Sequence, residues 1–272
     1  MKSLAHTTSP IRLPDGALTQ VTQWGTRGPA LVCVHGMTSS RFSWMRFAAK
    51  FADDFRIFAY DQRGHGDSAH IQGPMSLDQA DADLRAVCEA VDGPIASLVG
   101  HSWGGSVVVR GGTTTRTQRV VAIDPVILVA PDFDWYGEYV LDFDEDLKLP
   151  PQQREIELRT RYHAMGWAPD DIEGKLHAVA KMTREPLIRL AAENAVDQGG
   201  WDLRELVHHY PKPLLLCLAN ANDSTVTAHE RAWLHEHAGP RTTQIVYEDH
   251  GHNLHRTDFD RFAADVERWF ET

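Results

Sequence analysis

Residues 100–104 of this chain read Gly100-His101-Ser102-Trp103-Gly104, a G-x-S-x-G sequence. The apolar run at residues 95–99 predicts a strand before it, and the small and apolar residues at 105–109 predict a helix after it. A sharp strand-to-helix turn strains the backbone of its central residue and holds that side chain above the sheet, within reach of a base and a substrate. Ser102 is therefore the predicted nucleophile. The alternative is an ordinary structural turn, since short motifs also occur by chance.

Short apolar runs alternate with helical patterns along the rest of the chain. Two N-terminal strands flank the turn at Pro14-Asp15-Gly16, and six more strands are predicted at residues 30–34, 55–60, 95–99, 120–123, 214–218 and 244–247. Ser76 and Thr227 begin capping-box patterns that predict the starts of two helices. The repeated alternation predicts an α/β fold with a mostly parallel eight-stranded sheet flanked by helices.

One segment, residues 131–205, contains no clear strand and has helical pieces at 151–165 and 170–182. We expect a helical cap inserted after the sixth strand, above the strand ends where open α/β sheets bind ligands. The predicted domains are thus a core of residues 1–130 and 206–272 and a cap of residues 131–205. Trp135 and Trp167 would either wall an apolar pocket or form the core of the cap. The acidic stretch 132–146 would disfavour anionic substrates if it faced the pocket.

Composition limits the classes of partner. The 272 residues are 42% hydrophobic and 24% charged, as in ordinary soluble domains. The first 14 residues do not resemble a signal peptide, no apolar run could span a bilayer, and three cysteines in apolar contexts indicate a reducing compartment. The net charge of −11 argues against nucleic acid. We therefore expect a cytoplasmic protein that acts on a small molecule, with no membrane partner.

A serine nucleophile needs a base and an acid that orients the base. The loop after strand 214–218 supplies Asp223, and the loop after strand 244–247 supplies His250 and His252. Asp124, at the end of strand 120–123, is an alternative acid, although it could instead satisfy backbone donors in a turn. We favour Asp223 and His252. The histidine-rich C-terminal region lacks the H-E-x-x-H pattern, so neither a metal nor another cofactor is expected.

Four motifs together resemble the α/β-hydrolase superfamily over essentially the full length of the chain. They are His35-Gly36-Met37, the loop at residues 61–68, the G-x-S-x-G turn and Gly251-His252. The resemblance implies that Ser102 is the nucleophile, that His252 is the general base and then the general acid, and that Asp223 orients the imidazole. It also implies an oxyanion hole formed by the backbone N–H groups of Met37 and Trp103. The order of serine, aspartate and histidine along the chain is that of this family.

The expected activity is that of a serine hydrolase that cleaves a carboxylic ester or lactone of a small to medium, partly apolar substrate through an acyl-enzyme. His35, Trp135 and Trp167 are candidate substrate-binding residues, although His35 could instead brace its loop. Alternative activities are C–C bond hydrolysis of a diketo acid and cofactor-free perhydrolase or lyase chemistry. A diketo acid would need arginines in the pocket, for which Arg41, Arg159, Arg161 and Arg189 are conceivable. A ligand receptor with weak or no turnover is the alternative from a different class.

Overall fold

A single sheet organises the molecule. The computed structural model describes residues 4–129, 141–195, 200–220 and 223–271, to which all structural statements refer. The strands of the sheet are β1 (His6–Arg12), β2 (Leu18–Trp24), β3 (Ala30–Val34), β4 (Arg56–Tyr60), β5 (Ile95–His101), β6 (Arg119–Ile123), β7 (Leu214–Ala219) and β8 (Thr242–Tyr247). Their order is β1-β2-β4-β3-β5-β6-β7-β8. Only β2 runs against its neighbours, so the predicted mostly parallel eight-stranded sheet is confirmed.

Helices cover both faces of this sheet. Those outside the insertion are α1 (Met45–Phe51), α2 (Leu77–Ala90), α3 (Trp103–Thr114), α9 (Ala228–His237), α10 (Leu254–Thr257) and α11 (Phe259–Glu271). Alternate residues of β3 enter two buried clusters: Val32 packs in one with Leu84 of α2, and Leu31 packs in the other with Phe47 of α1 and Phe262 of α11. This two-residue alternation is what a strand buried on both faces produces.

The predicted helix starts are present. The side chain of Ser76 accepts a hydrogen bond from the Gln79 N–H, and Thr227 and Glu230 form a reciprocal capping box. Caps of this kind stabilise a helix by about 1 kcal/mol each. None of the helices in the described ranges has the length and apolar character needed to cross a bilayer.

The chain between β6 and β7 is helical where the structure describes it. The helices are α4 (Leu141–Lys148), α5 (Pro151–Ala164), α6 (Pro169–Lys181), α7 (Arg184–Glu193) and α8 (Arg204–His208). Helix α6 packs closely on the chain that follows β3, because a Cβ at Gly174 would lie 2.5 Å from the carbonyl oxygen of Phe42. The insertion therefore lies against the loop that contains the predicted oxyanion residue Met37.

The loop at residues 61–68 braces the same region. The buried carboxylate of Asp61 accepts hydrogen bonds from the backbone N–H groups of Arg41 and Asp67, both at 2.8 Å, and pairs with the Arg41 guanidinium. A Cβ at Gly66 would lie 2.5 Å from that carboxylate, so glycine is required at this position. This motif thus fixes the loop after β3 to the loop after β4.

Candidate active site

Ser102 occupies the strained turn between β5 and α3. Its backbone has φ 57° and ψ −125°, a conformation that costs a non-glycine residue of order 1–3 kcal/mol. The Ser102 N–H donates to the carbonyl oxygen of Ile123 at 2.9 Å, which ties the turn to the end of β6. A Cβ at Gly104 would lie 2.3 Å from the carbonyl oxygen of Val34, so only glycine permits this approach to β3. The surrounding packing therefore maintains the strained geometry.

His252 contacts a buried carboxylate at the end of β6. Its Nδ1 lies 2.7 Å from Oδ2 of Asp124. That carboxylate also accepts hydrogen bonds from the Ala219 N–H at 3.0 Å, the Ser224 hydroxyl at 2.8 Å and the Thr225 N–H at 2.9 Å. Burial acts to raise the pKa of Asp124, but the hydrogen bond and charge of His252 and the other donors outweigh it, so the pKa lies below its ordinary value. Asp124 is therefore held as a carboxylate beside the imidazole.

The position of Asp223 corrects our expectation. Its side chain is exposed and lies against Gly251, where a Cβ would fall 2.1 Å from Oδ1 of Asp223. Within the described ranges it forms no hydrogen bond or ion pair, whereas Asp124, our alternative acid, contacts His252. The physical reason is the sheet order: β6 lies directly beside β5, so its end adjoins the turn that carries Ser102. The other candidate base, His250, lies 3.3 Å from Asp258 instead.

Two further histidines, His101 and His255, pack beside the loop that contains His252. His101 Nε2 donates to the carbonyl oxygen of His252 at 2.9 Å, and its ring centroid lies 4.6 Å from that of His252 and 4.2 Å from that of His255. Burial first, and then neighbouring positive charge, hold the pKa of both His101 and His255 well below the ordinary value. These two rings are therefore neutral and position the loop without exchanging protons at neutral pH.

A cavity of about 170 Å³ lies over Ser102. Its walls come from the strand ends, from the loop after β3 and from the insertion. They include Ser102, His252, Met37, Thr38, Trp167 and Lys175. Ser102 and His252 thus line the same cavity, and Trp167, a candidate substrate-binding residue, lies in its wall. Trp135 lies outside the described residues.

The two predicted oxyanion donors have no acceptor in the described part of the chain. Met37 and Trp103 donate no backbone hydrogen bond there. Trp103 begins α3, and the first N–H groups of a helix lack an intrahelical partner. His65 Nε2 donates to the Met37 carbonyl oxygen and so fixes the orientation of that peptide. Trp103 directly follows Ser102 in the chain, and Gly36, the neighbour of Met37, approaches Ser102 in the fold, where a Cβ at Gly36 would lie 3.1 Å from the Ser102 Cβ.

His35, a candidate substrate-binding residue, is hydrogen-bonded within its own region of the fold. The side chain is buried and lies outside the cavity wall. Its Nε2 accepts from the Gln62 N–H at 3.1 Å, and its Nδ1 donates to the Gly36 carbonyl oxygen at 2.8 Å. His35 thus braces the loop after β3, which was the alternative interpretation of this residue.

Sequence reasoning missed two cations in the cavity wall, Lys175 and Arg256. Lys175 lies on the buried face of α6, between Ile172 and Val179. A charged residue within an apolar helical stripe is the sequence signal that could have identified it. Arg256 follows His252 by four residues, and no motif marks it.

The four arginines that we had considered for the pocket lie outside its wall and pair with carboxylates. The pairs are Arg41 with Asp61, Arg159 with Glu173, Arg161 with Asp146 and Arg189 with Glu193. None of the four is therefore positioned to receive an anionic substrate.

The sequence of the chain is similar to those of known hydrolytic enzymes. A model of the alpha/beta hydrolase family matches residues 31–265. The chain is 24% identical over 254 residues to 3-oxoadipate enol-lactonase 2 of Acinetobacter baylyi, covering 92% of each protein.

Two solved structures are similar in fold. N-formylmaleamic acid deformylase of Pseudomonas putida superposes with a TM-score of 0.77 at 20% identity, covering 96% of this chain and 100% of that one. An esterase of Exiguobacterium antarcticum superposes with a TM-score of 0.73 at 16% identity, covering 98% and 100%. These superpositions show the fold. The family model, which matches residues 31–265, shows that the chain belongs to the alpha/beta hydrolase family of enzymes.

Proposed function

We propose that this enzyme cleaves a carboxylic ester or lactone through an acyl-enzyme formed on Ser102. The observation that carries the proposal is the contact between His252 and the buried Asp124, at the wall of the cavity that also contains Ser102. A serine in a strained turn, an imidazole and a buried carboxylate are the parts that acyl transfer needs.

The hydrogen bond to Asp124 determines which nitrogen of His252 acts as the base. A carboxylate only accepts hydrogen bonds, so the contact at 2.7 Å places the proton of the neutral imidazole on Nδ1. Nε2 then carries the lone pair and takes the proton of Ser102 as its oxygen attacks the carbonyl carbon. The carboxylate stabilises the imidazolium that results, and Nε2 returns the proton to the leaving oxygen.

The backbone N–H groups of Met37 and Trp103 receive the negative charge that develops on the carbonyl oxygen. Donors of this kind act mainly in the transition state, and loss of one typically costs about 3–4 kcal/mol. Water then attacks the acyl-enzyme, with His252 as general base, and releases the acid and Ser102.

The insertion supplies part of the proposed substrate site. We interpret residues 131–205 as a cap over the core of residues 1–130 and 206–272, with Trp167 in the cavity wall. The similarity to an enol-lactonase over 92% of the chain supports a lactone or a small ester as the substrate. All three cysteines are buried free thiols, which is in keeping with the cytoplasmic location that we propose.

The test is the turnover of p-nitrophenyl butyrate and of a panel of lactones by Ser102→Ala. Turnover should fall to the uncatalysed background, because no other residue replaces the nucleophile. Ser106→Ala is the matched control: its hydroxyl lies one helical turn further on and donates to the Val126 carbonyl oxygen at 2.7 Å. That variant should retain turnover, and retained turnover in Ser102→Ala would exclude the acyl-enzyme mechanism.

The same panel separates the other activities. Cleavage of a diketo acid with no ester turnover would favour C–C bond hydrolysis, and peroxide-dependent turnover would favour a perhydrolase. Thermal stabilisation by a ligand without product would favour a receptor.

A further inference from the structure

Two buried cations line the cavity beside Ser102, and the proposed acyl transfer uses neither of them. Lys175 is 6% exposed and Arg256 is 5% exposed. Among the described residues neither forms an ion pair with a carboxylate. Two carboxylates act on them, Asp171 on Arg256 and Asp146 on Lys175. Each of these carboxylates also pairs with a second cation, Asp171 with Arg46 at 3.2 Å and Asp146 with Arg161 at 2.8 Å. The two carboxylates are thus shared among four cations, which leaves an excess of positive charge beside the cavity.

Lys175 reaches the cavity from the buried face of α6. Its Nζ donates to the carbonyl oxygen of Thr38 at 2.8 Å and to the Thr38 hydroxyl at 2.7 Å. An ammonium group has three donors, so one remains for a ligand. Burial, and then the charge of Arg256, lower the pKa of Lys175 to about 7. The charge of Asp146 offsets these two effects only in part.

Arg256 enters the same space from α10. Its guanidinium carbon lies 4.2 Å from the centre of the Trp167 ring, and one terminal nitrogen donates to Oδ1 of Asn253 at 2.9 Å. Its Nε is buried without an acceptor among the residues that the structure describes. A guanidinium has five N–H donors in a planar fork that matches a carboxylate, so most of its hydrogen-bonding capacity is unused.

This local charge contrasts with the whole molecule, whose net charge is −11. A buried charge without a partner destabilises a fold, and a bound anion removes that penalty. We propose that Lys175 and Arg256 form a subsite for a carboxylate group of the substrate. The enzyme would then act on an ester or lactone that also carries a free carboxylate, an inference that rests on the proposed function and makes it more specific.

The acidic stretch at residues 132–146 does not oppose this proposal where it is described. Its two buried carboxylates, Asp144 and Asp146, pair with Arg184 at 2.7 Å and with Arg161 at 2.8 Å. Each is thus paired with an arginine of the insertion, which weakens its repulsion of an anion in the cavity.

The first test measures kcat/KM for two pairs of esters that differ in charge. Mono-p-nitrophenyl adipate and p-nitrophenyl hexanoate place the carboxylate or its neutral counterpart on the acyl side. 4-Acetoxybenzoate and its methyl ester do so on the alcohol side. The wild-type enzyme should prefer the charged member of at least one pair by about 10- to 100-fold, the range expected for a buried hydrogen bond to a charged group.

Lys175→Met and Arg256→Met should each bring that ratio close to one. A general loss of activity lowers both members of a pair and cancels in the ratio. Arg159→Met is the matched control, since Arg159 is exposed and pairs with Glu173 at 2.5 Å, and it should keep the wild-type ratio. Absence of a preference in the wild-type enzyme, or a preference that survives both cavity variants, would overturn the subsite.

A binding measurement keeps the subsite testable if no ester is cleaved. Calorimetry on Ser102→Ala should detect adipate but not dimethyl adipate, and adding Lys175→Met or Arg256→Met should abolish adipate binding. Adipate binding without ester turnover would refute the proposed function and support the subsite. Failure to bind adipate, or equally tight binding of inorganic phosphate, would overturn the carboxylate assignment while leaving Ser102 chemistry to its own test.

Discussion

Replacement of the buried acid, Asp124→Asn, gives the most informative perturbation of the site. The exchange keeps the size of the side chain and removes its charge. Oδ2 faces the Nδ1 of His252 at 2.7 Å and the Thr225 N–H at 2.9 Å, and Oδ1 faces the Ala219 N–H at 3.0 Å. The NH2 group of the asparagine therefore meets a fixed backbone donor whichever way the amide is oriented.

The size of the effect follows from these contacts. An asparagine NH2 at the Oδ2 position forces His252 to accept at Nδ1, which protonates Nε2 and removes the base. In the opposite orientation the imidazolium loses the carboxylate charge that stabilises it. At a Ser-His-Asp triad this exchange typically lowers kcat about 10⁴-fold. One buried donor left without an acceptor also costs about 1–3 kcal/mol of folding free energy.

The assay is kcat/KM for p-nitrophenyl butyrate, with a thermal melt of each variant to show that it is folded at the assay temperature. Asp223→Asn is the control, because Asp223 is exposed and should tolerate the exchange with kcat/KM within about twofold, as expected for a surface substitution. A large loss in Asp223→Asn together with near-normal activity in Asp124→Asn would refute the assignment of the acid.

Two more predictions follow from the cavity and from the turn. Because only the protonated form of Lys175 attracts a carboxylate and its pKa is about 7, the preference for the charged ester should be present below pH 7 and decline above it; an unchanged ratio across a pH profile from 5.5 to 9 would contradict this. Gly104→Ala should lower the thermal midpoint, because the new Cβ would lie 2.3 Å from the Val34 carbonyl oxygen and such overpacking costs about 1–3 kcal/mol. An unchanged midpoint in Gly104→Ala would contradict the packing argument.

The sequence was sufficient to predict the sheet and the strained turn that contains Ser102. Strands such as β3 are apolar throughout because both faces are buried, and this pattern is visible without coordinates. The turn at Ser102 is recognisable because its steric demands require glycines at fixed spacing. The helical character of the insertion was also visible, from periodicity and proline positions.

The choice between the two aspartates depended on information that the sequence does not contain. Asp124 and Asp223 both follow strands whose ends meet at the same edge of the sheet, so the chain order alone permits either. The burial of Asp124 and the donors around it favour this residue, and the donors come from residues about a hundred positions away in the chain. Asp124 also has a positive φ of 41°, a strained backbone conformation that the sequence does not reveal.

The cavity cations were missed for a related reason. Arg256 is buried in the cavity wall, whereas Arg159 is exposed on the surface. The sequence around these two arginines gives little indication of which one is buried. Lys175 was easier to identify from the sequence, because it interrupts the apolar stripe of α6. A charge in such a stripe deserves consideration as a binding group.

Covalent labelling tests most directly whether Ser102 is the nucleophile. The enzyme is incubated with a fluorophosphonate, which reacts with activated serines, and the modified peptide is identified by mass spectrometry. We expect one label per chain, on Ser102, with no label in Ser102→Ala and much slower labelling in Asp124→Asn. A label on another residue, or equal labelling of Ser102→Ala, would contradict this expectation.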